Sequence, residues 1–177
     1  MTYIGAGVLP YYFNNGQIHY ILGQDQEGQY SDFGGRPETN ESIETCAARE
    51  CAEEMGTRFL GEQVTIKSLL RNSRFSTPLS ITKENGKQYH LYLLRLIDSR
   101  LWIHQSTNCH CFKCTFTPNN EKVAITSMPA DAVYEAVAQG TGQITLGDRI
   151  FTLRDVFINE IRAIPAFQAL YPTIVAT

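Results

Sequence analysis

The stretch Gly34 to Thr57, GGRPETNESIETCAARECAEEMGT, decides how the rest of the chain is read. It sets a double glycine before a segment of helical character that is crowded with carboxylates. On an α-helix Glu50, Glu53 and Glu54 stand at i, i+3 and i+4 and share one face, while Ala48, Cys51, Ala52 and Met55 form a small apolar face opposite. Like charges at i and i+4 cost about 0.2–0.5 kcal/mol per pair on an isolated helix, and in the neighbouring sequence only Arg49 and a bound cation offer compensation. Asn40 or Ser42 is suited to cap the start of the helix, and Gly56 to the left-handed position that ends it. An acidic run is ordinarily a solvated face. Here the physical reading is a helix with one face for a core and one for multivalent cations. Gly34 and Gly35 allow backbone conformations denied to other residues and a close approach to a ligand.

Outward from this stretch, Tyr3 to Phe13 and Gln17 to Gly23 flank Asn14-Asn15-Gly16 and predict a β-hairpin, with Pro10 placing the first strand at an edge or a bulge. Tyr30 to Phe33 leads into the glycines. Downstream, Val64 to Leu70 reads as a strand, and Leu79 to Thr82 with Gln88 to Ile97 as a hairpin around Glu84-Asn85-Gly86-Lys87. Phe112 to Phe116 and Val123 to Ser127 read as further strands. Pro129 opens a helix that runs to about Gln139 and ends at Gly140, and Ile144 to Phe151 forms a small hairpin around Gly147-Asp148. Thr152 would cap a last helix with Leu153, Val156, Phe157, Ile161 and Ile164 toward the core before Pro165 stops it. This order predicts an α/β fold, a mixed sheet with helices packed on it.

The chain has 177 residues, within the usual range for one domain and long enough for a core without disulfides or structural metals. A net charge of −3 gives no global basic field, which argues against a nucleic-acid binder that works by phosphate neutralisation. Five cysteines, an odd count, and an N-terminus without a secretory signature predict reduced thiols and a cytoplasmic setting. No apolar run approaches the roughly 18 residues needed to span a bilayer, so no membrane partner is expected.

Residues 35 to 57 resemble the Nudix box, G-x5-E-x7-R-E-U-x-E-E-x-G-U, where U is a bulky aliphatic residue: Gly35, Glu41, Arg49, Glu50, Glu53, Glu54 and Gly56 fall on their places. The departures are Cys51 and Thr57 at the two U sites, and Phe33 where the family often has proline. The resemblance implies a Nudix-type α/β/α sandwich over residues 1–177 and hydrolysis of a nucleoside diphosphate linked to another moiety. ADP-ribose, a dinucleoside polyphosphate and a modified nucleoside triphosphate all stay open, as do a diphosphoinositol polyphosphate or capped RNA, which would need a dense basic pocket. A non-catalytic nucleotide-binding module is the alternative from another class. By the same resemblance Glu50 and Glu54 are the main ligands of Mg2+ or Mn2+, with Glu53 in support and the Gly34 carbonyl contributing from the turn. Arg49 would orient a carboxylate, and Glu41 would hold the loop against the helix. The general base is a box glutamate such as Glu53, or an acid from a later loop, for which Glu121 is the candidate; Ala124 stands nearest the family's usual glutamate. Hard cations held by carboxylates suit this chemistry, since they neutralise oxyanion charge and generate a nucleophilic water.

Arg71, Arg74 and Phe75 lie where the family often contacts substrate, since an arginine fork holds phosphate and a ring stacks on a base. Tyr11, Tyr12 and Tyr30 are further candidates to line the pocket. His104, Cys109, His110, Cys111 and Cys114 crowd one segment, but C-x-C-x2-C is not a common zinc pattern and ordinary strand residues are the favoured reading. The oligomeric state, a homodimer included, is open.

Overall fold

In a computed structural model, residues 3–56, 60–83, 85–97 and 121–163 are described. The strands are β1 (Tyr3–Asn14), β2 (Gln17–Asp25), β3 (Gln29–Ser31), β4 (Phe33–Gly35), β5 (Ser76–Thr82), β6 (Gln88–Arg95), β7 (Lys122–Pro129), β8 (Gln143–Leu146) and β9 (Arg149–Leu153). The helices are α1 (Ile43–Met55), α2 (Gln63–Leu70), α3 (Ala130–Gln139) and α4 (Asp155–Arg162). The strands form one mixed sheet in the order β5-β6-β1-β2-β3-β9-β8, with β4 also paired to β1 and β7 to β2.

Alternation along the central strands assigns the two faces. Ala6, Val8, Tyr12, Ile21, Tyr92 and Leu94 pack with Cys46, Ala47, Ala48, Cys51 and Met55 of α1 and with Ile66 and Leu70 of α2. Leu9, Tyr11, Tyr20, Leu22, Leu91 and Leu93 pack instead with Val133 and Val137 of α3 and with Phe157, Ile158 and Ile161 of α4. The result is the expected α/β/α sandwich, because each strand residue next to its neighbour feeds the opposite core.

The first hairpin turns on Asn15 and Gly16, both with positive φ (50° and 81°), as the tight antiparallel connection demands. Pro10 occupies a central strand, contrary to the edge or bulge expected. On one side β1 pairs with β6 from Tyr3 to Tyr11, including Pro10 with Leu94; on the other, β4 partners Ala6 to Val8 and β2 partners Tyr11 to Asn14. Because the Tyr11 carbonyl accepts from Leu96 on the β6 side, alternation turns the Pro10 nitrogen into the gap between β4 and β2, where no ladder bond is lost.

Two further expectations are corrected, and a third is decided between its alternatives. Val64 to Leu70 is helical: Ile66 and Leu70, four apart, are the buried pair, and Lys67 Nζ reaches Thr45 Oγ1 at 2.6 Å, so α2 is docked onto the start of α1. Thr152 belongs to β9, α4 starts at Asp155 after Arg154, and Val156 is exposed rather than core-facing. At α1 the cap is Ser42, whose Oγ accepts from the Thr45 N–H, while Asn40 adopts positive φ in the preceding loop. Phe112 to Phe116 and the cysteine and histidine cluster from His104 to Cys114 lie outside the described residues. No helix among the described residues is long and apolar enough to cross a membrane.

Replacing Ile66 by alanine is expected to cost about 2–5 kcal/mol in urea denaturation, because the cavity opens in the α1–α2 core. Val64→Ala should move stability by no more than about 0.5 kcal/mol, since Val64 is 71% exposed. Equal losses at both positions would restore the strand assignment, which puts the two side chains on one face.

Candidate active site

The site is built where β4 passes the acidic face of α1. Arg49 stands at its centre. Its Nε and Nη2 donate to the two Glu41 oxygens at 3.0 Å each, Nη1 donates to Glu50 Oε1 at 2.9 Å and to Glu53 Oε2 at 3.2 Å, and Nη2 also reaches the Arg36 carbonyl at 3.0 Å. The planar guanidinium suits this use, because its fork of donors matches a carboxylate edge to edge. The hydrogen bonds from Arg49 hold the Glu41 carboxyl below its ordinary range. Glu41 Oε2 also accepts the Glu38 N–H at 2.9 Å, so the loop before the helix is closed on itself and on α1.

Glu54 is buried, and its Oε2 accepts the Gly34 N–H at 2.9 Å. In a strand the N–H and C=O of one residue point to the same side, so the Gly34 carbonyl also lies on the Glu54 side. The double glycine is required by space rather than by φ, since neither residue has positive φ. A Cβ at Gly35 would stand 2.4 Å from the Glu50 carboxylate, and one at Gly34 would stand 2.4 Å from the Tyr89 hydroxyl.

Burial pushes the Glu54 carboxyl up to about 8 and raises Glu50 above the ordinary range; repulsion from Asp32, Glu50 and Glu121 adds to the rise at Glu54, and from Glu53 and Glu121 at Glu50. Glu121 therefore stands close enough to act on both glutamates. Sequence reasoning missed Lys122, which is buried, donates to Ser31 Oγ at 2.6 Å and lies 3.9 Å from Glu54 Oε1. A lysine at the head of a strand carries no mark of burial. The nearest signal is Gly23, where a Cβ would meet the Lys122 stem at 2.9 Å. Asp32 was missed too: it is buried, accepts from the Tyr89 hydroxyl at 2.8 Å, and burial raises its carboxyl.

Whether these residues fit a divalent cation turns on the donors and their charge. Glu50, Glu54 and Glu121 are hard oxygen donors that repel one another, with Glu53 exposed beside them and the Gly34 carbonyl on the Glu54 side. Among the described residues no three His, Cys, Asp or Glu side chains already enclose a metal position. Magnesium commonly uses one or two carboxylates, retained waters and substrate phosphate oxygens, and that demand fits this set.

A cleft of about 670 Å3 adjoins the glycines, lined by Asp32, Gly34, Gly35, Arg36, Lys83, Lys87, Arg154 and Glu160 among others. Of the residues expected to bind substrate, none of Arg71, Arg74, Phe75 and Tyr30 lines it. Arg74 and Phe75 line a separate cavity of about 330 Å3 with Phe13 and Arg95. Phe75 is bonded to Arg95, which pairs with Tyr11, whereas Gly35 pairs with Ala6. Five residues of strand, roughly 16 Å at about 3.3 Å each, thus separate them along β1. Arg71 is exposed just after α2, and Tyr30 is 6% exposed in the core, edge-on to Phe151. Tyr11 and Tyr12 are core residues on opposite faces of the sheet.

The NUDIX domain profile matches residues 2–143. No curated protein matches the chain. Among solved structures, the Nudix hydrolase RenU from M. smegmatis is similar over 98% of this chain and 86% of its own, at 15% identity and a TM-score of 0.51. A C. elegans Ap4A hydrolase binary complex matches over 78% of this chain and 89% of its own, at 18% identity and a TM-score of 0.42. The NUDIX domain of Shewanella oneidensis NrtR, complexed with ADP ribose, matches over 76% and 77%, at 12% identity and a TM-score of 0.44.

Glu160 gives a pH test of the cleft. Burial lifts its carboxyl to about 7, so between the ordinary value of 4.5 and that point the folded protein holds a proton that the unfolded chain has released. The stability Glu160 lends is complete below 4.5 and lost as pH rises through 7. Denaturation in metal-free buffer from pH 5 to 8 should show wild type losing more stability than Glu160→Gln. Parallel curves would contradict the burial.

Proposed function

The chain belongs to the Nudix family of hydrolases acting on phosphoric anhydride bonds, and we propose that it is a metal-dependent pyrophosphohydrolase cleaving the diphosphate of a nucleoside diphosphate linked to a further moiety. The observation that carries this reading is the gathering of Glu41, Glu50 and Glu53 on one arginine beside buried Glu54 and a glycine strand bordering the cleft.

Glu50 and Glu54 would hold Mg2+ or Mn2+, with Glu53 in support and the Gly34 carbonyl on the same side. When bound, the ion neutralises charge on the diphosphate oxygens and lowers the pKa of a water. The rest falls to the chain. Arg49 fixes the Glu50 carboxylate in one orientation, so the donor set does not have to be assembled at each turnover. The Gly34 N–H anchors Glu54, and Lys122 opposes the loss of its charge on burial. Glu121, exposed and repelling both glutamates, would accept the proton of the attacking water, and Glu53 is the box residue that would take the same role in its stead. Arg36, leaving the glycines, lines the cleft that adjoins them.

With magnesium or manganese the wild type should release nucleotide products from a panel of nucleotide sugars, dinucleoside polyphosphates and modified nucleoside triphosphates. Glu54→Gln should lower turnover by about 100-fold or more while binding manganese more weakly and melting no earlier in metal-free buffer. Equal inertness of both proteins, with nucleotide still bound, would replace the enzyme by a binding module.

A further inference from the structure

Sign of charge divides the surroundings of the glycine strand. One wall, α1, is acidic. The cleft on the other side concentrates Arg36, Lys83, Lys87 and Arg154, from three separate stretches of chain, although the protein as a whole carries −3. Each cation is held by its backbone. The Arg36 carbonyl is bonded to Arg49, the turn bearing Lys83 and Lys87 is closed by the Lys83 N–H on the Lys87 carbonyl at 2.8 Å, and the Arg154 N–H donates to the Tyr30 carbonyl at 2.9 Å.

The two carboxylates in the lining do not balance this charge. They are two against four cations: Glu160 pairs with Lys83 at 3.0 Å, and Arg154 acts on both Asp32 and Glu160, which leaves Arg36 and Lys87 without an acidic counterpart in the lining. Arg36 and Lys87 make no ion pair with another described residue, and Arg154 has only a long contact of 3.9 Å with Asp25. Like charges gathered around a concave space of ligand size repel one another unless an anion joins them. A neutral sugar offers hydroxyls, which do not call for such a cluster.

We infer that the moiety attached to the scissile diphosphate carries further phosphoryl groups, which this basic cleft receives. The inference rests on the pyrophosphohydrolase reading; it asks for a polyphosphorylated substrate and does not require that the substrate hold a nucleoside. The extra phosphates belong either to a longer polyphosphate chain, as in a dinucleoside tetraphosphate, or to a phosphorylated ring, as in a diphosphoinositol polyphosphate.

Steady-state kinetics of the full chain with magnesium on those two substrates and on ADP-ribose would test it, with Lys87→Glu and Arg154→Glu as variants. Both side chains are exposed, so the fold should tolerate the changes. KM for at least one polyphosphorylated substrate should rise about tenfold more than KM for ADP-ribose, with kcat altered far less; which of the two responds identifies the source of the phosphates. A parallel calorimetric titration with inorganic tripolyphosphate, without metal, should show about tenfold weaker binding to either variant. KM values moving together on all three substrates, or tripolyphosphate binding equally to wild type and variants, would overturn the inference. If no substrate is cleaved with any metal the pyrophosphohydrolase reading fails, and the tripolyphosphate titration still decides the cleft.

Discussion

One guanidinium organises the site. Arg49 binds Glu41 from the loop, Glu50 and Glu53 from its own helix, and the Arg36 carbonyl from the chain leaving the double glycine. Without it α1 would carry neighbouring carboxylates with nothing to offset their repulsion, and the loop from Arg36 to Ser42 would lose its tie to the helix. The glycines follow from the same constraint, since Glu50, oriented by Arg49, fills the space that a Cβ at Gly35 would take. Breaking such a partly buried network leaves charges without partners, and that loss exceeds what the pairs contributed.

Behind this layer lies a second, fully buried one. Glu54 faces the Gly34 N–H and Lys122, while Asp32 takes the Tyr89 hydroxyl beside the same strand. Burial resists the charge on both carboxyls, and the lysine is the compensating cation nearest to Glu54. The consequence is a site whose acids are held short of positive charge on one side, next to a cleft with positive charge to spare on the other. A polyanion bridging cations on both sides is the ligand such a division suits.

Much of this was legible in the sequence, and the reasons it was legible are local. Helical spacing alone put Glu50, Glu53 and Glu54 together, and turn residues at Asn15-Gly16 and Gly86 marked the hairpins. What stayed hidden depends on tertiary context. Val64 to Leu70 has apolar residues that satisfy both an alternating and a helical period, and only docking against α1 selects the helix. Pro10 reads as an edge until two different strands are seen to meet opposite it. Arg74 and Phe75 lie close in sequence to the hairpin yet at the far end of β1, because strand direction carries them away from Gly35. The basic cleft draws its cations from three stretches separated by tens of residues, so no short motif announces it.

The most direct test of the whole account is where a divalent ion sits. Crystals grown with manganese and measured at its absorption edge should show a strong anomalous peak in contact with the carboxylates of Glu50 and Glu54, with the Arg49 pairs intact. A peak elsewhere in the molecule, or full occupancy of the substrate cleft with none at those carboxylates, would contradict it.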